Sequence, residues 1–175
     1  MMKSAVLVVD VQTKIFDAVP GPFEAGKVVK KINHVTNLAR DAGIPVFLIQ
    51  HEAPGHLDHK SDGWQIHKDL VVEDGDIRVR KTTSDSFLRT NLEEKLKLLE
   101  INNLIICGYA SEFCIDNTTR RATGLGYTVQ LVSDAHTTHD KAHLSAKKIR
   151  EHHNITLSMA PTITTVQAED IRIEG

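Results

Sequence analysis

The sequence is poor in cysteine and in long apolar runs, and each shortage excludes a class of protein. Only two of the 175 residues are cysteines, Cys107 and Cys114, which is too few for a disulfide framework and the wrong spacing for a CxxC motif. No apolar run approaches the roughly 18 residues of a membrane-spanning helix, and the N-terminal run lacks the features of a signal peptide. The composition therefore predicts a protein of the reducing cytoplasm with no membrane partner.

Neither sign of charge is in large excess. The formal net charge is -2, with 41% hydrophobic and 25% charged residues. A nucleic-acid-binding protein would be expected to carry a basic excess or patch, and none is evident. Length and composition together predict a single globular domain over residues 1–175, with no nucleic-acid partner.

What the sequence does contain is a regular alternation of short apolar runs with amphipathic stretches. The runs predict strands at 4–10, 44–50, 76–81, 103–108, 127–134 and 155–159. The amphipathic stretches predict helices at 24–43, 91–102, 114–126 and 141–153. The tail from residue 160 is expected to be extended with one short helical turn. Six strands alternating with helices predict a three-layer α/β/α fold around a doubly wound, mostly parallel, Rossmann-like sheet.

Three polar side chains follow predicted strands, where ligands of such sheets bind. Asp10 ends the first strand, Lys81 ends the third, and Cys114 opens the helix after the fourth. Taken singly, Asp10 fits a helix cap, Lys81 a surface charge and Cys114 a small buried side chain. We also expect Cys107 to be a small buried side chain. Taken together, the helix dipole and the lysine would ionise the thiol at neutral pH, with the aspartate as general base.

Four segments carry a resemblance to a known superfamily: "VLVVDVQ" around Asp10, "KTTSDSFLRTNL" from Lys81, "GYASEFC" up to Cys114, and "GYTVQLVSDAHTT". In this order they resemble the isochorismatase-like cysteine hydrolases, which include nicotinamidases and N-carbamoyl amidohydrolases. The resemblance implies an Asp10–Lys81–Cys114 triad that hydrolyses a small amide or carbamoyl compound through a thioester. It also implies a cis peptide at Tyr109–Ala110, an oxyanion hole formed by the backbone N–H groups of Ala110 and Cys114, and assembly into a homo-oligomer, either a dimer or a tetramer.

The polar stretch 51–76 is a long loop, which in a compact domain is usually functional. We predict that five residues contact the substrate, with Phe16 and Phe113 as pocket walls that the resemblance implies: Phe16, Gln50, Trp64, Tyr109 and Phe113. Trp64, the only tryptophan, fits a loop anchor as well as a pocket wall that stacks on a flat substrate.

The ten histidines raise the question of a metal. Several relatives bind one through an aspartate and histidines after the second strand, but Gln50 stands where we would look for that aspartate, and glutamine is a poor ligand. The nearby histidines are His51, His56, His59 and His67. Their spacing matches no compact metal-binding motif. We predict no metal and no other cofactor, and interpret these histidines as loop and pocket residues. A second group of histidines comprises His136, His139 and His143. We interpret these as residues that cap a helix, line the pocket rim or lie at a subunit interface.

Alternative functions remain open from the sequence. An isochorismatase-type vinyl-ether hydrolase would need no nucleophile at Cys114, and a silent binding or scaffold protein would not need the complete Asp-Lys-Cys set. A redox pair of Cys107 and Cys114 is disfavoured because Cys107 lies within a strand.

Overall fold

The structure is a computed structural model that describes residues 2–173. Its strands are β1 Ser4–Val9, β2 Val46–His51, β3 Ile77–Lys81, β4 Asn103–Tyr109, β5 Thr128–Thr137 and β6 Ile163–Val166. Its α-helices are α1 Thr13–Phe16, α2 Ala25–Asp41, α3 Leu92–Leu98, α4 Asp116–Gly124 and α5 Ala146–Leu157. Shorter turns of 3-10 or π type occupy Asp62–Trp64, Ser111–Ile115 and Ala168–Asp170. Within residues 2–173, no helix is both long and apolar enough to cross a membrane.

The six strands form one parallel sheet in the order β3-β2-β1-β4-β5-β6. The chain winds outward from β1 in one direction to β3, and then from β4 in the other direction to β6. The strand order therefore reverses between β1 and β4, and their carboxyl ends flank the crevice where doubly wound sheets bind ligands. The predicted fold class is confirmed.

The continuous apolar run of β1 is buried on both faces of the sheet, as its composition predicts. Leu7 and Val9 face the layer that contains α3 and α4, whereas Val6 and Val8 face the layer that contains α2. Helix α2 packs on the sheet through apolar residues at helical spacing, namely Val28, Ile32, Val35 and Ala39. Both layers thus fix the position of β1 and of the residue that follows it.

The last strand predicted from the sequence is wrong. Residues 155–157 extend α5, and β6 lies further on, where Ile163 pairs with Val129 of β5. The apolar and polar residues of 155–159 alternate as in a strand, but the buried positions Ile149 and Leu157 share one face of a continuous helix.

The start of α5 also differs from the prediction, which put it at Lys141. The helix begins at Ala146, because the Ser145 hydroxyl caps it by accepting a hydrogen bond from the Lys148 N–H at 3.4 Å. Residues 141–144 form a loop instead. The expected helical turn in the tail is present at 168–170.

Candidate active site

Three strand ends bring Asp10, Lys81 and Cys114 together. Lys81 Nζ lies 2.8 Å from Asp10 Oδ2 and 3.3 Å from Cys114 Sγ. All three residues are buried, with relative exposures of 2%, 1% and 5%. A lysine this deeply buried needs an acidic partner, and the carboxylate of Asp10 provides it. The ammonium group therefore links the aspartate to the thiol.

The backbone around the switch point aims these side chains. Asp10 adopts a φ of 53°, a left-handed conformation that aspartate tolerates better than most residues, while its N–H still donates to Ile49 O at 2.9 Å. Beside it, Gly108 has a φ of +120°, and a Cβ there would lie 2.1 Å from Val9 O. Only glycine lets β4 lie this close to the end of β1.

Cys114 lies in the π turn Ser111–Ile115, which continues directly into α4. The peptide Tyr109–Ala110 that precedes the turn is cis, as the resemblance implies. The Ala110 carbonyl accepts hydrogen bonds from the N–H groups of Phe113 and Ile115, at 2.9 and 3.0 Å. The Ala110 carbonyl thus holds the residues on both sides of Cys114 close to the end of β4.

The electrostatics of the thiol differ from the expectation of a resting thiolate. Burial, together with the neighbouring Asp10 carboxylate, raises the pKa of Cys114 to about 12, although the Lys81 ammonium opposes the shift. Burial lowers the pKa of Lys81, but the attraction of Asp10 and Cys114 outweighs it and raises that pKa above its ordinary value. At neutral pH the site therefore holds a neutral thiol beside a lysine cation.

Two further features complete the polar floor of the site. His51 Nδ1 lies 3.2 Å from Lys81 Nζ, and burial and then the lysine charge lower the pKa of His51, so its neutral ring accepts from the ammonium. Asp10 Oδ1 is buried and has no hydrogen-bond partner within the described part of the chain. That oxygen is free to accept a proton.

A cavity of about 350 Å³ opens above Asp10 and Cys114. Its remaining walls are mostly apolar or aromatic, and they comprise Lys14, Ile15, Ala18, His51, His56, Leu57, Tyr109, Phe113 and His139. An apolar pocket that ends on a few convergent polar groups is the usual form of a small-molecule site. Tyr109 and Phe113, predicted as pocket residues, both line it.

The other three predicted pocket residues do not line this cavity. Phe16 is buried behind Tyr109, with the ring centroids 6.1 Å apart, so it supports the wall without forming it. The Gln50 side chain is used in the fold, since its Nε2 donates to Trp64 O at 3.1 Å and its Oε1 accepts from Arg78.

Trp64 serves as the loop anchor, one of the two roles left open by the sequence. Its indole is 8% exposed and meets the His59 ring edge-on at 4.7 Å. Its carbonyl accepts from Gln12 Nε2 at 2.9 Å, which joins the 51–76 loop to the start of α1. Phe113, and not Trp64, lines the cavity.

Three of the ten histidines lie at the pocket. His51, His56 and His139 line the cavity, and His139 Nδ1 lies 2.8 Å from the Tyr109 hydroxyl. Within residues 2–173, no group of three or more His, Cys, Asp or Glu side chains is arranged to hold a metal ion.

The sequence reasoning missed the wall formed around α1. Lys14, Ile15 and Ala18 line the cavity, although α1 has only four residues. Lys14 and Ile15 lie on α1, and Ala18 lies two residues beyond its end, so their position shortly after Asp10 was the available signal. The segment was too short for its periodicity to be recognised.

The sequence and fold match those of a known family. A family model described as the isochorismatase domain matches residues 4–167. The chain belongs to the isochorismatase family. The isochorismatase family protein YrdC of Bacillus subtilis (strain 168) is 37% identical to it over 136 residues, which cover 76% of this chain and 73% of that protein. A solved isochorismatase family structure aligns with a TM-score of 0.88 and 32% identity, covering 94% of this chain and 98% of that one.

Relatives of this isochorismatase family chain with named activities are hydrolases. Streptothricin hydrolase of Streptomyces noursei is 39% identical over 140 residues, which cover 78% of this chain but 50% of that enzyme, so the chain spans half its length. Nicotinamidase 3 of Arabidopsis thaliana is 25% identical over 148 residues, covering 75% of this chain and 72% of that protein.

Proposed function

We propose that this chain is a cysteine hydrolase that cleaves a C–N bond in a small amide or carbamoyl compound. The observation that carries the proposal is the Lys81 ammonium, which contacts both the Asp10 carboxylate and the Cys114 sulfur at the floor of a cavity. A nicotinamidase among the relatives acts on an amide, which supports the bond class.

The raised pKa of the thiol determines how the first step would start. Because Cys114 is neutral at rest, its proton must leave as the sulfur attacks, and Asp10 Oδ1 is the buried acceptor without a partner. The sulfur then bonds to the substrate carbonyl carbon while the π electrons move to the carbonyl oxygen. Lys81 stays cationic and stabilises the sulfur as its charge develops.

The tetrahedral intermediate collapses as the C–N bond breaks. The leaving nitrogen takes the proton from Asp10, and a thioester remains on Cys114. Water then attacks the thioester and passes a proton to Asp10. When the C–S bond breaks, the acid product leaves and the sulfur recovers its proton from Asp10.

The oxyanion would be held by backbone N–H groups. We assign this role to the amides of Ala110 and Cys114, as the family resemblance implies, since Ala110 directly precedes the turn that contains the nucleophile. Tyr109 and Phe113 line the walls that would contact the rest of the substrate.

A panel of small amides tests the proposal, with nicotinamide, N-carbamoylglycine and acetamide as probes and ammonia release as the readout. We expect at least one probe to be hydrolysed, and the Cys114→Ala protein to lose at least a thousandfold in kcat/KM. Mass spectrometry of rapidly quenched reactions should find the acyl group on Cys114.

Two results would contradict the proposal. Turnover by Cys114→Ala at the wild-type rate would exclude a covalent thioester. Absence of ammonia release from every amide, combined with failure of the protein to take an acyl group from an activated ester, would exclude the C–N hydrolase. The homo-oligomer and the cytoplasmic location stay predictions, which sedimentation and cell fractionation would check.

A further inference from the structure

Three hydrogen-bonded polar side chains, two of them buried and one partly buried, lie behind the cysteine turn, outside the cavity. Ser111 Oγ lies 2.7 Å from His136 Nδ1, and His136 Nε2 lies 2.8 Å from Asn154 Oδ1. Ser111 and His136 are completely buried, and neither lines the active-site cavity. A Ser-His-Asn set is a hydrolase constellation, but a substrate cannot reach a serine that is sealed in this way.

The contacts of Asn154 fix the direction of both hydrogen bonds that join Ser111, His136 and Asn154. Asn154 Nδ2 donates to Ser133 O at 3.0 Å, so its Oδ1 faces His136 and can only accept. The proton of the neutral imidazole therefore sits on Nε2, which leaves Nδ1 as an acceptor. The Ser111 hydroxyl must donate to it.

We propose that Ser111, His136 and Asn154 form a positioning relay that holds the oxyanion-hole backbone of residues 110–114 in place. Ser111 directly follows Ala110 and precedes Cys114 by three residues, so its side chain anchors the turn between the two amides assigned to the oxyanion. His136 lies on β5 in register with Gly108 of β4, and Asn154 lies on α5. The relay thus attaches the turn to two elements outside it.

The imidazole is suited to this role because it stays neutral. Burial lowers the pKa of His136 to about 4, so the ring does not gain a second proton near neutral pH. A charged ring would carry a hydrogen on Nδ1 and could not accept from Ser111. The anchor therefore keeps one arrangement over the range in which the enzyme is expected to work.

This inference rests on the proposed function, and Ser111→Ala tests it. Loss of the anchor should lower kcat for 4-nitrophenyl acetate about tenfold and leave KM within about twofold, because misplaced oxyanion donors weaken transition-state binding more than substrate binding. Alkylation of Cys114 by iodoacetamide should keep its rate, since that displacement forms no oxyanion. A merely structural loss would change the two rates together.

A matched variant and a second site sharpen the test. Ser4→Ala also removes a buried serine hydroxyl, one that accepts from Asn103 Nδ2 at 3.0 Å, but at the opposite end of the sheet. It should leave kcat unchanged. Asn154→Ala should lower kcat about threefold, and the Ser111→Ala/Asn154→Ala protein should be no slower than Ser111→Ala, because both changes interrupt one relay.

The outcomes separate this inference from the proposed function. If Ser111→Ala keeps wild-type kcat while Cys114→Ala is inactive, the relay is overturned and the cysteine hydrolase stands. If the two single effects multiply in the double variant, the residues act independently and the relay is also overturned. If Cys114→Ala turns over normally, the proposed function fails and the role of the relay fails with it.

Discussion

The interior of β4 and the turn that follows it each bury one cysteine, and the two thiols have different surroundings. Cys107 is fully buried, and burial alone raises its pKa. Cys114 is also buried, but it borders the cavity and contacts the Lys81 ammonium at 3.3 Å. The neighbours of a cysteine, and not its depth, therefore decide whether the structure can use it as a nucleophile.

The partner atoms explain the difference further. Cys107 Sγ donates at 3.6 Å to the Leu7 carbonyl oxygen, a neutral backbone acceptor that cannot serve as a base. Cys114 Sγ contacts the Lys81 ammonium, which can stabilise a thiolate. The same ammonium contacts the Asp10 carboxylate and so connects it to Cys114. In the proposed mechanism, the raised pKa of Cys114 requires that Asp10 accept the thiol proton, because few thiolates exist before the substrate arrives.

The largest expected effect comes from removing the cation that distinguishes the two sites. Lys81→Met should lower kcat/KM about a thousandfold, because the thiolate and the Asp10 charge lose their common partner. It should also lower the free energy of unfolding by about 3–5 kcal/mol, since it leaves a buried carboxylate uncompensated. Steady-state kinetics and urea unfolding would measure both losses.

A charge-matched control separates the two losses. In the Asp10→Asn/Lys81→Met protein the uncompensated charge is gone, so stability should recover in part while activity stays low. If Lys81→Met alone kept more than a tenth of wild-type kcat/KM, the lysine would not support the nucleophile.

Chemical labelling should distinguish the two cysteines about a hundredfold. In the native protein iodoacetamide should modify Cys114 at the cavity and leave Cys107 intact, whereas the unfolded protein should react at both. Because the pKa of Cys114 lies near 12, its thiolate fraction and its labelling rate should rise about tenfold per pH unit between pH 7 and pH 9. Peptide mass spectrometry gives both rates, and a plateau below pH 8 would contradict the raised pKa.

Much of this contrast could be predicted from the sequence. Cys107 stands inside the apolar run of β4, and Cys114 stands after it, so their different environments follow from strand burial and the position of the strand end. Parallel strands place their carboxyl ends at one edge, which is why Asp10 and Lys81 could be expected beside Cys114. The family resemblance added the cis peptide.

The ionisation of the thiol could not be predicted in the same way. The sequence indicates which charges approach Cys114, but its pKa depends on how completely water is excluded and on the balance between Asp10 and Lys81. The roles of Phe16 and Trp64 depend on ring packing, which residue type does not determine. The start of α5 depends on the cap at Ser145.

A smaller effect, on KM, is expected at the cavity wall beside Cys114. Phe113 is 57% exposed and lines the cavity, so Phe113→Ala should raise KM about five- to tenfold through lost contact with the substrate, with little change in kcat. Ile155→Ala removes an equally exposed apolar side chain from α5, away from the cavity, and serves as the control. An unchanged KM in Phe113→Ala would remove this residue from the substrate-binding wall.

The smallest effect on activity is expected on the Cys107 side. Cys107→Ala removes only a sulfur that packs inside β4, so kcat/KM should stay within twofold of the wild type. The small void should lower the free energy of unfolding by about 1–2 kcal/mol, measured by urea denaturation. A loss of activity beyond tenfold, without a matching loss of folded protein, would mean that the two cysteines act together, as in a redox pair. The comparison would then fail, because both thiols would belong to one site.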